Sequence, residues 1–143
     1  MKNQYMIGNL FITAPGPWKD ITDAVEGVSV PFTLAKDDGT GALQFSVATY
    51  KSGKLPNVSL PDLNELRSDF AQKKGLGPAF DELQSNGDLR VSGGSYQTTE
   101  NYVRVSYCSD GRHVALITYL GGRGKEGNEP NECDAIVSEV RFG

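Results

Sequence analysis

The residues able to do covalent chemistry in this chain are few. Its 143 residues include one histidine, His113, and two cysteines, Cys108 and Cys133. A thiol nucleophile needs a base within reach and a third group to orient that base. His113 faces Cys108 across the predicted turn Ser109-Asp110-Gly111-Arg112, and Asp110 belongs to that turn. No third group stands out. His113 therefore reads as a polar residue at a strand end, and Cys108 and Cys133 read as buried, reduced thiols, with a single bridge between them as the alternative. One histidine and two distant cysteines also fall short of the three or four ligands of a usual zinc site. Asp37-Asp38 beside Gly39 lacks the spacing and terminal glutamate of a calcium loop and reads as a turn. The expectation is a chain with no catalytic residues, no metal and no cofactor.

Two glycine-rich segments invite a binding role instead. Gly121-Gly122-Arg123-Gly124-Lys125-Glu126-Gly127 precedes a predicted helix, the setting in which backbone amides cradle phosphate. The P-loop order fails, because Glu126 rather than Ser or Thr follows Lys125. The segment reads as a flexible surface loop whose Arg123 and Lys125 are candidate partner contacts. Ser92-Gly93-Gly94-Ser95 reads as a second such loop with Tyr96 beside it, where glycine lets a partner's backbone approach. Asp81, Glu82 and Asp88 form a candidate acidic patch able to steer a basic protein partner. Ordinary surface charge is the alternative there. Asp20, Asp23 and Glu26 read as a solvated face.

Composition narrows the class. The net charge is -4 and the isoelectric point about 4.9, which argues against nucleic acid as a partner, since phosphate contacts need clustered Lys and Arg. No run approaches the roughly 18 apolar residues of a membrane span. No apolar segment with a small-residue cleavage site opens the chain. These features predict a cytoplasmic protein forming one domain over residues 1–143.

The elements follow from period and punctuation. Leu10 to Thr13 is a short apolar run ended by Ala14-Pro15-Gly16-Pro17, after which Trp18 is expected to plug a core edge. Pro31–Ala35 and Ala42–Tyr50 alternate apolar with polar, with Leu43, Phe45 and Val47 on one face. Ser59 is a candidate N-cap, Pro61 and Asp62 suit a first helical turn, and Leu60, Leu63, Leu66 and Phe70 predict the apolar face. Asn64, Arg67, Ser68 and Lys74 are expected to face water, and Gly75 and Gly77-Pro78 to end the helix. Residues 80–89 are ambiguous, and Leu89-Arg90-Val91 begins a strand after an Asn86-Gly87 turn. Asn101–Cys108 and His113–Leu120 predict a hairpin whose apolar second arm sits mid-sheet. Asn128, Pro130 and Glu132 open a last helix with Cys133, Ile136, Val137 and Val140 on one face.

This order resembles the Mog1/PsbP-like family. The resemblance rests on Phe11-Ile12-Thr13-Ala14-Pro15-Gly16-Pro17-Trp18, on Gly39 to Ser46, on the helix opening Ser59-Leu60-Pro61-Asp62-Leu63, and on the strand Val114–Tyr119 before a short helix. It implies an α+β fold, an antiparallel sheet with flanking helices in an α/β/α sandwich, and a protein-binding scaffold rather than an enzyme. Its members include a Ran-binding factor, a photosystem subunit and chaperones of type VI secretion effectors. Short bacterial chains of this kind resemble immunity proteins. The leading expectation is thus an immunity protein that binds and blocks a cognate secreted toxin, without membrane or nucleic-acid contact. An effector-loading chaperone and a small hydrolase reversing a toxin's modification are the alternatives. Tyr96, Asp81, Glu82, Asp88, Arg123 and Lys125 are the candidate contact residues.

Overall fold

Period-two alternation dominates the chain, and strands dominate the structure. A computed structural model describes residues 2–24, 31–48 and 58–143. In chain order the strands are β1 (Lys2–Ile7), β2 (Leu10–Pro15), β3 (Trp18–Asp20), β4 (Phe32–Lys36) and β5 (Gly41–Ala48). Helix α1 (Leu60–Lys74) follows, then β6 (Phe80–Asn86), β7 (Arg90–Gln97), β8 (Asn101–Ser109), β9 (Val114–Gly122), helix α2 (Glu129–Ser138) and β10 (Arg141–Phe142). Glu26, Thr49 and Tyr50, which the sequence places on an acidic face and at a strand end, lie outside the described residues.

Seven strands form one antiparallel sheet in the order β3-β4-β5-β9-β8-β7-β6. The apolar β9 is its middle strand, as its composition predicts. A second, three-stranded sheet in the order β1-β2-β10 brings the two ends of the chain together.

Side chains alternate between the two faces of the large sheet. Val103 and Val105 of β8 pack with Tyr96, Ala71 and Leu76 under α1. Tyr102 and Cys108 of β8, Ala115, Ile117 and Tyr119 of β9, and Leu43 and Phe45 of β5 point the other way. There they meet α2 through Cys133, Ile136 and Val137, and the small sheet through Leu10, Ile12 and Ala14. Trp18 is fully enclosed in that core. The result is an α+β sandwich: α1, the large sheet, then α2 beside the small sheet.

Helix α1 begins and ends where its sequence says. The Ser59 backbone N–H donates to the Asp62 carboxylate at 2.9 Å, and the Asp62 N–H donates back to the Ser59 hydroxyl at 3.3 Å. This reciprocal pair satisfies two amide groups that the first turn leaves open. Gly75 closes the helix in the left-handed conformation, at φ 64°, which costs glycine little.

Three expectations fail. The buried stripe of α1 is Leu63, Arg67 and Ala71, so Arg67 points inward while Leu66 is exposed. Ser92-Gly93-Gly94-Ser95 is no loop but the middle of β7, buried on both faces. The opening residues and Arg141–Phe142 form strands that the sequence did not reveal.

Candidate functional site

The unusual composition of β7 is the starting point. Its residues Ser92 to Ser95 are small and buried, with α1 packed on one face. Small residues leave room, and on each face that room holds a guanidinium. Arg67 reaches down from α1 and is 4% exposed. It donates from Nε to the Ser92 hydroxyl at 3.0 Å, from Nη1 to the Tyr96 hydroxyl at 3.2 Å, and from Nη2 to the Glu82 carboxylate at 3.0 Å. A side chain at Gly94 would overlap the Arg67 guanidinium. On the opposite face Arg104 of β8 donates from Nε to Asp134 at 2.6 Å and from Nη1 to the Ser95 hydroxyl at 2.6 Å. Ser95 also shares a hydrogen bond with the Tyr102 hydroxyl. A Cβ at Gly93 would lie 3.2 Å from the Ser106 hydroxyl and 3.7 Å from Arg104 Nη2.

Both arginines converge on β6. Its pairing with β7 is interrupted between Phe80 and Leu83, and Asp81 there adopts φ 54°, the only positive φ outside glycine among the described residues. Arg104 Nη1 donates to the Asp81 carbonyl at 3.0 Å from one face, and Arg67 holds Glu82 from the other. The bulge is therefore pinned by two buried cations. Bulges of this kind bend an edge strand and re-aim its side chains.

Strand β6 is the outermost of the large sheet, and all its residues are exposed. Phe80 and Leu83 are exposed by 41% and 44%. Phe80 meets the edge of the buried Tyr102 ring at 5.9 Å. On the α1 side, β6 forms one wall of an open cleft of about 780 Å³, with Arg67 and Tyr96 in its lining beside Asn64, Gln72, Glu82 and Gln84.

The sequence-predicted contact residues divide. Asp81 and Glu82 lie on the bulge, and Asp88 lies exposed in the turn after β6. Arg123 and Lys125 are exposed beyond the end of β9, which β8 and β7 separate from β6. Tyr96 is buried, with its hydroxyl on Arg67, so it serves the cleft and not an exposed loop. Arg67 and Arg104 were missed. The signal that points to them is the run of small residues in β7 opposite arginines on neighbouring elements.

The thiols and the lone imidazole lie away from this cleft. Cys108 is fully buried, and burial pushes its thiol up to about 12. Burial raises Cys133 as well. A thiol reacts as thiolate, and burial favours the neutral form of both cysteines, which are unbridged. The His113 ring stacks on Phe142 at 5.5 Å, with Nδ1 3.1 Å from Asp110. Burial raises the Asp110 carboxyl, but the backbone N–H groups of His113 and Arg112 outweigh it and leave the carboxyl below its ordinary range. The amides of Thr40 and Gly41, near the glycine-rich segment, are filled by the Glu129 carboxylate, which also accepts from the Tyr119 hydroxyl at 2.8 Å. Among the described residues no three His, Cys, Asp or Glu side chains gather as a metal site, and no helix is long and apolar enough to cross a membrane.

No protein-family model matches the chain, and no curated protein matches its sequence. Among solved structures it is similar to a mutant form of the protein Mog1, with a TM-score of 0.62. That likeness covers 99% of this chain and 96% of the other at 9% sequence identity. The chain has the Mog1/PsbP-like fold.

Proposed function

We propose that this chain is a protein-binding module acting as an immunity protein, one that docks on a basic secreted toxin and blocks it. The observation that supports this reading is β6: an edge strand exposed along its whole length, bearing two exposed large apolar side chains and flanked by carboxylates. An unpaired edge offers backbone N–H and C=O groups to an extended segment of a partner. Phe80 and Leu83 supply apolar area for the contact, and Asp81, Glu82 and Asp88 supply the charge that steers a cationic surface toward it. The bulge also fits this role. Edges left flat and long invite indiscriminate pairing, and a pinned bulge restricts pairing to a partner of matching shape. An effector chaperone would need a broad apolar groove for a membrane helix, whereas the cleft beside β6 carries Asn64, Gln72 and Gln84.

Co-expression with the product of the adjacent gene tests the proposal. The expected result is a stoichiometric complex that restores growth to cells making the toxin. Leu83→Lys, which leaves an already exposed position polar, should weaken that complex by roughly tenfold or more, as loss of a central contact does. A complex insensitive to Leu83→Lys and to Asp81→Lys moves the interface away from β6. Catalytic turnover of the toxin's modified target by the purified chain overturns the binding-only reading and restores the hydrolase.

A further inference from the structure

We infer that the cleft between α1 and β6 is a binding site for a carboxylate group, with Glu82 as its tethered internal occupant. The inference stands whether or not a toxin docks on β6.

The donor inventory carries it. A guanidinium has five N–H donors and no acceptor. Arg67 uses one donor on each of Nε, Nη1 and Nη2, so one N–H on each Nη has no partner among the described residues. The Tyr96 oxygen accepts from Arg67, and its own O–H has no acceptor among the described residues. Asn64 accepts the Ser92 hydroxyl on its carbonyl oxygen, and its NH₂ has no acceptor among the described residues. Three side chains lining one cleft thus present surplus donors, and an ionised carboxylate is the group that satisfies surplus donors with two acceptor oxygens.

Glu82 shows how the site works. Among the described residues it is the only acid in the lining, and its side chain is 53% exposed while that of Arg67 is 5% exposed. Removing a carboxylate from a buried cation is costly unless another replaces it. Glu82 sits on an exposed edge strand and can turn outward to solvent, where its charge is hydrated. Arg67 cannot follow, because Ser92 and Tyr96 hold it from below. An incoming carboxylate would exchange with Glu82 at the guanidinium. With a single cation in the lining among the described residues, a monoanion balances the site better than a phosphate dianion does. The open volume of about 780 Å³ admits more than the carboxylate itself, and it lies within the usual range of ligand pockets. The carboxylate can belong to a free small acid or to a peptide chain terminus.

Titration of the ¹⁵N-labelled protein with propionate, a monoanion, with trialanine, with C-terminally amidated trialanine and with inorganic phosphate separates these sources. Saturable shifts of the Tyr96, Gln72 and Gln84 amide signals by propionate alone assign a free acid. The same shifts by trialanine and not by its amide assign a chain terminus. Glu82→Ala should tighten whichever probe binds by about fivefold or more. Tyr96→Phe, which keeps the ring and removes only the hydroxyl, should weaken it several-fold. Equal shifts by the amidated peptide, tighter binding of phosphate, or no saturable shift even in Glu82→Ala would overturn the assignment.

Discussion

A single methyl group is the sharpest probe of the β7 arrangement. Gly94 lies where any Cβ would meet the Arg67 guanidinium. Gly94→Ala must therefore expel a buried cation from its hydrogen bonds to Ser92 and Tyr96 or distort the strand. Losses of that kind fall at the severe end of single substitutions, roughly 2–4 kcal/mol. Gly87→Ala is the control, since nothing lies near its Cβ position. Urea titration of the two variants should separate them clearly, and equal midpoints would mean that Gly94 is not making room for Arg67. Cys108 makes a second residue-level prediction. Its thiol sits at about 12 in the folded protein against an ordinary 9.0. The folded state keeps a proton that the unfolded chain releases in between, so the stability owed to the neutral thiol is intact below pH 9 and declines as pH rises toward 12. Cys108→Ala should cost about 1–2 kcal/mol near pH 8. That deficit should shrink as the pH is raised to 11, measured as the gap between the two urea midpoints. A gap that widens would have the sign of the linkage wrong.

At the scale of elements, the ends of α1 were legible and its inner face was not. Ser59, Pro61, Asp62 and Gly75 are local signals, each acting on backbone within a turn of itself. Ser59→Ala should thus cost about 1 kcal/mol, and Ser59→Asp, which keeps an acceptor at the cap, should recover most of it in thermal melts. The Ser59 backbone N–H holds the Asp62 carboxyl below its ordinary range, so this contribution is present near neutral pH and fades as the solution is acidified past the usual carboxylate pKa. The inner face depends on partners far along the chain. An apolar stripe of Leu60, Leu63, Leu66 and Phe70 is the natural reading of the helix in isolation. Arg67 replaces Leu66 on the buried side only because Ser92, Gly94 and Tyr96 of β7 lie beneath it. No local period reports that. The same limit hid the binding cleft, whose donors come from α1 and β7. The hairpin β8–β9 was legible because Val103, Val105 and Tyr107 alternate strictly with Tyr102, Arg104 and Ser106. Strand β10 has two residues and no period to read, and β1 alternates only between exposed and half-buried positions.

For the whole molecule, strand order divides folding into local and distant steps. Strands β6, β7, β8 and β9 pair in sequence as a meander, and α1 packs on β7 and β8 beside it. Two closures are non-local: β5 pairs with β9 across more than 60 intervening residues (41–48 against 114–122), and β10 pairs with β2 across nearly the full chain. Loop closure costs entropy before such contacts repay it. The meander with α1 should therefore form the folding nucleus, and the small sheet should dock last. Val105 is fully buried in β8, and Leu10 is fully buried in β2. Val105→Ala and Leu10→Ala should each destabilise by roughly 2–4 kcal/mol through the cavity left behind, but along different kinetic limbs. Val105→Ala should chiefly slow folding, with a φ-value of about 0.5 or above, and Leu10→Ala should chiefly speed unfolding, with φ of about 0.3 or below. Stopped-flow refolding and unfolding in urea measures both. Were Leu10→Ala the variant that slows folding, the chain would have to join its ends first, and the large sheet would assemble on the small one.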